Sequence, residues 1–455
     1  MSSLSRRDLL TRTAQSVLAS SVGFSGAIRA EEKPYKKLQP PSVVGANERI
    51  LTGHIGIGAM GRMNLGRCID RKDTMPVAVC DLWPAHRDFA ADAVRKSWNP
   101  NVSAHVYLEE IIENRDIDVV VVSTPDHWHA LPVLMACDAR KDIYCEKPLA
   151  TTIREGRAMV DAVRRNEVVF QAGTMQRSGK HFQEAVELVR SGHIGKVPHA
   201  EAWIYASLPP QGMGPVLNEQ VPEGLDWDRF LGWTPRVPYN SHRFLSNFRW
   251  FLEYSGGFMT DWGVHLIDIV LWAQGEEKKP KTIAASGGKF VLTDDRNTPD
   301  TLDVLYEFDG YSLHFSNRVY NAQPPYGNSD HGIDFHGTLG TLRLNRNGYE
   351  VIPLARDTCA PKQSGGSEQH AAHWENFIQC VRGRTQPICN VEVCHNTSTV
   401  CHMGTCAYVA GAMLEWDERH ECFHGGDRKA VRVANDFASR PYANGWQLSP
   451  PYHKA

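Results

Sequence analysis

A glycine-rich turn between an apolar strand and a helix places the tightest constraint on the fold of this chain. The segment RILTGHIGIGAMGRMNLGRCID begins at Arg49, and Gly56, Gly58 and Gly61 form a GxGxxG pattern around Met60. Glycines at these positions permit a tight turn and let a pyrophosphate approach the N-terminus of the following helix. The pattern therefore predicts a nucleotide-binding βαβ unit.

An acidic residue follows the next strand at the spacing that this unit uses to bind ribose. The strand MPVAVC ends at Asp81, which lies 20 residues after Gly61. A carboxylate there accepts hydrogen bonds from the adenosine ribose hydroxyls and repels a 2′-phosphate. Leu82 brings no compensating charge, so the sequence favours NAD over NADP.

Strands and helices continue to alternate as far as residue 173. The run DVVVVST is almost entirely apolar, which is typical of a strand in a parallel sheet covered on both faces. We therefore predict a doubly wound α/β domain, of the Rossmann type, over residues 49–173. Ligands of such sheets bind beyond the carboxyl ends of the strands.

Two motifs lie at such strand ends. The motif TPDHWH supplies Thr124, Pro125 and His129, and YCEKP supplies Glu146 and Lys147. Lysine is rarely buried without a partner, so Lys147 is either an ordinary solvated loop residue or a lysine directed at a substrate. Because it lies on the cofactor side of the sheet, we favour the second interpretation. We also predict a cis peptide between this lysine and the proline that follows.

The second half of the chain, residues 174–455, has the pattern of an α+β domain. Strand-like runs occur at 197–206, 302–308, 311–320 and 332–337, and Asp309-Gly310 is a strong hairpin signal between two of them. Helical patterns return at 367–384 and 392–413.

The segment GGFMTDWGVHLIDIVLW reads as one helix with Asp261, His265 and Asp268 on one face. Flanking carboxylates are expected to raise the pKa of the histidine and to hold its ring. The alternative is a structural His–Asp network buried between domains. A metal site lacks a fourth ligand here, and the tract CHNTSTVCH (394–402) is interpreted as helix packing, so no metal is expected.

The first 30 residues carry Arg6 and Arg7 in SRRDLLT, followed by a weakly apolar stretch rich in serine and alanine. This composition predicts a twin-arginine signal peptide over residues 1–30, and therefore export to the periplasm, with a basic amphipathic helix as the alternative. Residues 31–48 read as a linker. The net charge of −3 excludes a basic surface for nucleic acid, and no apolar run reaches the length of a membrane span.

The nucleotide pattern, TPDHWHA and YCEKPLA, in that order, resemble the glucose–fructose oxidoreductase/inositol dehydrogenase (Gfo/Idh/MocA) family. The segments GLDWDRFLGWTP, FRWFLEYSGGFMTDWGVHLIDIVLWAQG and RPYANGWQL resemble an exported bacterial branch of it, so the resemblance covers roughly residues 49–450. It implies a Rossmann domain followed by a large, mostly antiparallel open sheet. It also implies that Lys147, Asp261 and His265 are catalytic.

The expected function is NAD-dependent oxidation of a hydroxyl of a sugar, glycoside or cyclitol. Lys147 would stabilise negative charge on the reacting oxygen, His265 would act as general acid and base, and Asp261 would position the histidine or the substrate. Glu146 would anchor the lysine or contact the nicotinamide ribose.

Further substrate contacts are expected from Arg177, Trp250 and Trp262. An exposed sheet face predicts a homo-oligomer. Because a periplasm is not expected to hold free NAD, the exported protein is expected to retain its nucleotide tightly and to need the Tat machinery as a partner.

Two alternatives stay open. A redox-neutral glycosidase or lyase of the same family would use the same three residues through a transient keto-sugar, and it would not accumulate NADH. A non-catalytic sugar-binding protein would show no turnover, although binding alone does not require Lys147, Asp261 and His265.

Overall fold

The first half forms a parallel sheet that starts at the predicted strand before the glycine turn. The computed structural model describes residues 49–97, 99–217, 219–323, 329–355 and 361–453, so the expected signal peptide and linker lie outside the described residues. The sheet has the strand order β3-β2-β1-β4-β5-β6, and every pair in it is parallel. Its strands are β1 (Ile50–Ile55), β2 (Thr74–Cys80), β3 (Ser103–His105), β4 (Val119–Val122), β5 (Asp142–Cys145) and β6 (Phe170–Ala172).

Helices cross over between these strands, as a doubly wound fold requires. They are α1 (Ala59–Asp70), α2 (Pro84–Ser97), α3 (Glu109–Glu113), α4 (Ala130–Asp138) and α5 (Ile153–Asn166). Helix α5 begins with a capping box in which Thr152 and Glu155 bond reciprocally to each other's backbone amides.

The second half forms a ten-stranded sheet with the order β14-β13-β12-β11-β7-β10-β9-β8-β15-β16, in which only the β7–β10 pair is parallel. The fold class predicted from the sequence is therefore confirmed. The turn at Asp309-Gly310 joins β9 and β10, as predicted, and Gly310 has φ +89°. The strands are β7 (His199–Tyr205), β8 (Thr282–Gly288), β9 (Thr301–Phe308), β10 (Tyr311–Arg318), β11 (His331–His336), β12 (Gly340–Asn345), β13 (Gly348–Pro353), β14 (Lys362–Ser364), β15 (Leu414–Asp417) and β16 (Cys422–His424).

The helices of the second half cover one face of this sheet and also reach back to the first. They are α6 (Lys180–Arg190), α7 (Trp227–Leu231), α8 (Phe258–Asp261), α9 (Gly263–Gln274), α10 (His370–Gly383), α11 (Val391–Ala410) and α12 (Arg428–Ala438). Short 3₁₀ turns occur at Asp126–Trp128, Met175–Ser178, Ser241–Arg243 and Leu245–Trp250. No helix in the described ranges has the length and apolarity that a membrane crossing requires.

Helix α10 belongs to the second half of the chain but packs on the parallel sheet. Its Trp374 stacks on Tyr144 of β5 with ring centroids 4.5 Å apart, in a cluster with Val119, Val121 and Phe377. Burial of such aromatic surface is a large favourable term in folding. Through this helix the second half of the chain packs on the parallel sheet.

The single helix expected around His265 is instead two helices. Helix α8 ends at Asp261, and α9 starts at Gly263, because the chain tightens at Trp262, whose carbonyl accepts a bond from the His265 amide three residues later at 3.0 Å. Asp261 and His265 therefore lie on successive helices.

Candidate active site

The glycine turn has the geometry that the sequence predicted. Gly56 has φ +84°, and a Cβ there would lie 2.7 Å from the backbone of Ser123. A Cβ on Gly61 would lie 2.0 Å from the carbonyl oxygen of Gly56, so only glycine lets helix and strand pack this closely. By contrast, a Cβ on Gly58 would meet no described atom within 4 Å. The middle glycine thus faces open space at the N-terminus of α1.

Asp81 stabilises the glycine turn through hydrogen bonds to backbone amides. Its carboxylate accepts hydrogen bonds from the Ile57 amide at 2.7 Å and from the Trp83 amide at 2.8 Å. His86 lies 3.4 Å from the same carboxylate. The residue thus sits beside the glycine turn, as expected for a ribose-binding carboxylate, and it also holds the turn in shape.

A cavity of about 420 Å³ runs from the glycine turn to Lys147. Ten residues predicted for the site line it: Gly56, Gly58, Met60, Asp81, Thr124, Pro125, His129, Glu146, Lys147 and Asp261. A segment of the second half also lines the cavity, through Phe244, Leu245, Ser246, Phe248 and Arg249. The cleft therefore lies between the two halves of the chain.

Lys147 is held by the carboxylate that the sequence placed in the site. Its Nζ donates to Asp261 Oδ1 at 2.5 Å and to the Asp261 carbonyl at 3.0 Å. Arg249 forms a second ion pair with the other carboxylate oxygen at 3.0 Å. The predicted cis peptide between Lys147 and Pro148 is confirmed.

Two cations decide the protonation of Asp261. Burial alone would raise its pKa, but Lys147 and Arg249 outweigh burial and lower the pKa to about 2. The carboxylate is therefore ionised at neutral pH and fixes the direction of the lysine ammonium.

Glu146 is anchored by an amide rather than by the lysine. Asn64 donates to its Oε1 at 2.9 Å, and Trp374 in turn donates to Asn64 at 3.2 Å. Burial raises the pKa of Glu146, and its Oε2 has no hydrogen-bond partner within the described chain. A Cβ on Gly173 would come within 2.6 Å of this carboxylate, so the glycine makes room for it.

His129 ties the two motifs of the parallel sheet together. Its ring nitrogens lie 2.7 Å from the Pro148 carbonyl and 3.0 Å from the Thr124 carbonyl. Burial lowers the pKa of this histidine. The side chain thus holds the loops after β4 and β5 in register while one edge lines the cavity.

The expected rise in the pKa of His265 is wrong. Burial, followed by the charges of Lys147 and Arg346, lowers its pKa well below the usual value. The second flanking carboxylate, Asp268, instead forms a buried bidentate ion pair with Arg177 at 2.7 and 2.9 Å. His265 is therefore neutral, and its Nδ1 has no partner among the described residues.

Three residues expected to contact substrate are placed elsewhere. Arg177 is 1% exposed and is bound to Asp268, so it belongs to the interior. Trp250 packs under Arg296, whose Cζ lies 4.4 Å from the ring centroid, and does not line the cavity. One face of Trp262 is covered by Arg346 at 4.4 Å, which leaves no room for a sugar ring on that face.

Sequence reasoning missed Asp126, which lies inside the motif TPDHWH and lines the cavity. Ser255 donates to its Oδ2 at 2.5 Å. Burial raises its pKa to about 7, despite the opposing effects of Ser255 and Lys147. The acidic residue directly after Pro125 was the sequence feature from which this site residue could have been predicted.

The tract CHNTSTVCH lies on helix α11, which is buried along most of its length. His395 pairs with Glu421 at 3.1 Å, and His402 lies 3.0 Å from the Ala150 carbonyl. Both histidines thus take part in packing contacts within the protein.

The residues present fit a dinucleotide. The open side of Gly58, the free amides of the first turn of α1 and the carboxylate of Asp81 match a pyrophosphate and a ribose. The hydroxyl of Thr124 and Oε2 of Glu146 are buried without a partner in the described ranges, and both lie at the cavity near Lys147. These atoms could bind the nicotinamide half.

Comparison with protein families matches residues 50–174 to the Gfo/Idh/MocA model described as an oxidoreductase family with an NAD-binding Rossmann fold. Residues 206–299 match the model of the corresponding C-terminal alpha/beta domain. The chain is 30% identical over 313 residues to the uncharacterized oxidoreductase YrbE of Bacillus subtilis, which covers 68% of this chain and 77% of the relative.

Two further relatives carry names that describe a reaction. The inositol 2-dehydrogenase of Rhizobium meliloti is 26% identical over 308 residues, which is 67% of this chain and 78% of that protein. The structure of a levoglucosan dehydrogenase in complex with NADH and levoglucosan superposes with a TM-score of 0.62 at 16% identity, covering 81% of this chain and 99% of that one. The structural likeness establishes the shared fold.

Proposed function

Because the chain belongs to the Gfo/Idh/MocA family of oxidoreductases, we propose that it transfers hydride between a nicotinamide and a secondary hydroxyl of a sugar, glycoside or cyclitol. The observation that carries this proposal is the Lys147 ammonium, held by Asp261 at the end of the cavity that begins at the glycine turn. The likeness to an inositol dehydrogenase supports a polyhydroxylated substrate.

The bound nicotinamide supplies the hydride acceptor. Lys147 donates a hydrogen bond to the substrate hydroxyl oxygen and stabilises the negative charge that grows on it as hydride leaves the carbon. Neutral His265 accepts the hydroxyl proton, so that the C–H and O–H bonds break while C=O forms. The low pKa of His265 leaves the ring neutral at neutral pH but makes it a weak base, so the proton transfer depends on Lys147 stabilising the negative charge on the oxygen.

Asp261 acts through the lysine. With one oxygen on Lys147 and the other on Arg249, it fixes both cations without becoming a base itself, because its pKa is about 2. We assign it a positioning role, whereas Lys147 and His265 handle the reacting oxygen and its proton.

For the cofactor, we propose NAD rather than NADP. Asp81 places a carboxylate where a 2′-phosphate would lie. Arg62 and His86 line the same end of the cavity, and they are the residues that would favour NADP if the carboxylate were removed.

We also propose that the protein is exported by the twin-arginine route, works in the periplasm and assembles as a homo-oligomer. Arg6 and Arg7 support export. Cell fractionation of the double Arg6→Lys, Arg7→Lys variant tests it, since protein that still reaches the periplasm contradicts it. Sedimentation of the purified protein tests the oligomer, and a single-chain mass contradicts it.

The reaction is tested by incubating protein and NAD with a panel of sugars, glycosides and cyclitols and following NADH absorbance. Accumulation of NADH with at least one polyol, lost in Lys147→Met, is the expected result. Product analysis by chromatography runs in parallel. Glycoside cleavage without net NADH would replace the dehydrogenase by the redox-neutral alternative, and binding without either product would favour a sugar-binding protein.

A further inference from the structure

An arginine from a distant hairpin lies close to His265, and neither residue is among those that line the cavity. Arg346 lies in the turn between β12 and β13, and its guanidinium carbon stands 4.4 Å from the ring centroid of Trp262. Its Nε donates to Gln176 Oε1 at 3.2 Å, and Gln176 donates to the His265 carbonyl at 3.0 Å. Together with His331, these residues are called here the Arg346 cluster: Gln176, Trp262, His265, His331 and Arg346.

The guanidinium is positioned but not neutralised. Gln176 is 1% exposed, and Trp262 contacts His331 with ring centroids 4.9 Å apart, so the support under Arg346 is rigid. Within the described ranges, no carboxylate lies close enough to form an ion pair with Arg346. Burial lowers its pKa, and Asp261 and Asp330 only partly oppose that effect.

Stacking on Trp262 covers a flat face of the guanidinium and Gln176 accepts from Nε, which leaves the terminal N–H donors without a protein acceptor in the described ranges. A partly buried arginine that neighbouring side chains hold in place, but that has no carboxylate partner, indicates a ligand anion. A purely structural arginine would be expected to end on a carboxylate, as Arg177 does on Asp268.

The ionisable groups around Arg346 leave its charge without an ion-pair partner. Lys147 and Arg249 share Asp261, and Glu146 and Asp126 also lie near Lys147. Asp330, the other carboxylate that acts on Arg346, is exposed and lies 2.7 Å from His331. Arg346 is thus the cation of this group that forms no ion pair within the described ranges, and its charge suits a ligand with one negative charge.

We propose that the substrate is an acidic sugar and that its carboxylate binds Arg346, with Trp262 and Gln176 holding the guanidinium in place. This inference rests on the proposed function, since it assigns the substrate class of the same site. The carboxylate lies on the side of His265 that the Arg346 cluster forms, while the reacting hydroxyl meets Lys147.

The test is equilibrium binding to protein saturated with NADH, which cannot oxidise the probe, measured by calorimetry. The probes are D-glucuronate, D-galacturonate and D-mannuronate, each with its neutral methyl ester, and glucose 6-phosphate. We expect at least one uronate to bind about 10- to 100-fold tighter than its ester, because a charge-assisted bond to arginine is lost in the ester. That ratio should fall to about one in Arg346→Gln and be partly kept in Arg346→Lys.

Arg432→Gln is the matched control, since it removes the same charge from an exposed pair with Asp436 on α12 and should keep the preference. Thermal denaturation and NAD affinity of Arg346→Gln show whether the variant is folded. Equal binding of every acid and its ester, or a preference that survives Arg346→Gln, overturns the proposal. Tighter binding of glucose 6-phosphate than of all three uronates overturns the carboxylate assignment.

Failure of the acidic-sugar proposal can be distinguished from failure of the proposed oxidoreductase function. If a uronate binds through Arg346 but no substrate transfers hydride, the oxidoreductase assignment fails and the anion site stands. If neutral polyols are oxidised and no acid is preferred, the reaction stands and the acidic substrate class is wrong.

Discussion

Replacing Lys147 by methionine should abolish turnover and leave the nucleotide site intact. Methionine keeps an unbranched side chain but removes the ammonium that donates to Asp261 at 2.5 and 3.0 Å. Loss of a donor to a developing oxyanion, or of a proton-handling group, lowers rates by about 10²- to 10⁴-fold. We therefore expect kcat/KM to fall by that factor, which corresponds to about 3–5 kcal/mol.

The effect on folding should be much smaller. The pKa of Asp261, lowered to about 2, corresponds to about 2 kcal/mol of stability at neutral pH, which two cations provide against the cost of burial. Arg249 still pairs with the carboxylate at 3.0 Å in the variant, so we expect a loss of about 1 kcal/mol. Because the folded pKa is depressed, this contribution is present above about pH 4 and is lost as pH falls toward 2. The free energies of unfolding of the wild type and of Lys147→Met should therefore become equal in acid.

The assay combines NADH formation, NAD affinity by calorimetry and urea unfolding at neutral and acidic pH. Lys180→Met is the control, because Lys180 is a lysine on α6 whose side chain is 78% exposed, and it should behave as wild type. If NAD affinity falls as much as the rate, the lysine holds the cofactor site together, and its assignment to the reacting oxygen is refuted.

Three further outcomes are expected. The pKa of Asp126, raised by burial to about 7, makes the folded state less stable as pH rises from about 4 to 7. Asp126→Asn should remove that pH dependence, on the order of 4 kcal/mol, in urea unfolding at pH values below and above this window. Asp81→Asn should lower the preference for NAD over NADP, measured as the ratio of the two dissociation constants, and a wild type that prefers NADP would contradict it. Protein purified without added nucleotide should release about one NAD(H) per chain on denaturation, because residues of both halves of the chain line the cavity and an exported enzyme must carry its nucleotide with it; an empty, freely exchanging site would contradict it.

The parts of the site that are local in sequence were predictable. The conformations of Gly56 and Gly61 follow from a spacing of five residues, and the cis peptide follows from the motif around Lys147 and Pro148. The hairpin at Asp309-Gly310 is equally local. In each case the physical constraint acts within a few residues, so the pattern determines the geometry.

The electrostatics of the site were not predictable, because they depend on contacts between distant segments. The expected rise in the pKa of His265 was wrong because burial, followed by the charges of Lys147 and Arg346, lowers it. Asp268 is near His265 in sequence but bonds Arg177, which is 91 residues away. Arg346 reaches the same histidine from a hairpin whose register no local pattern specifies. Arg249, next to the predicted substrate contact Trp250, was likewise missed as a partner of Asp261.

Asp261 links two functions, catalysis by Lys147 and retention of the nucleotide. Lys147 comes from the loop after β5, Arg249 from the second-half segment that lines the cavity, and Asp261 from helix α8, so one carboxylate connects all three. The carboxylate of Asp261 therefore holds both the lysine and this segment in position. It follows that loss of Lys147 separates catalysis from nucleotide retention, because Arg249 keeps its partner. Loss of the Asp261 charge cannot separate them, since it frees the lysine and the Arg249 segment together and leaves two cations without their shared carboxylate.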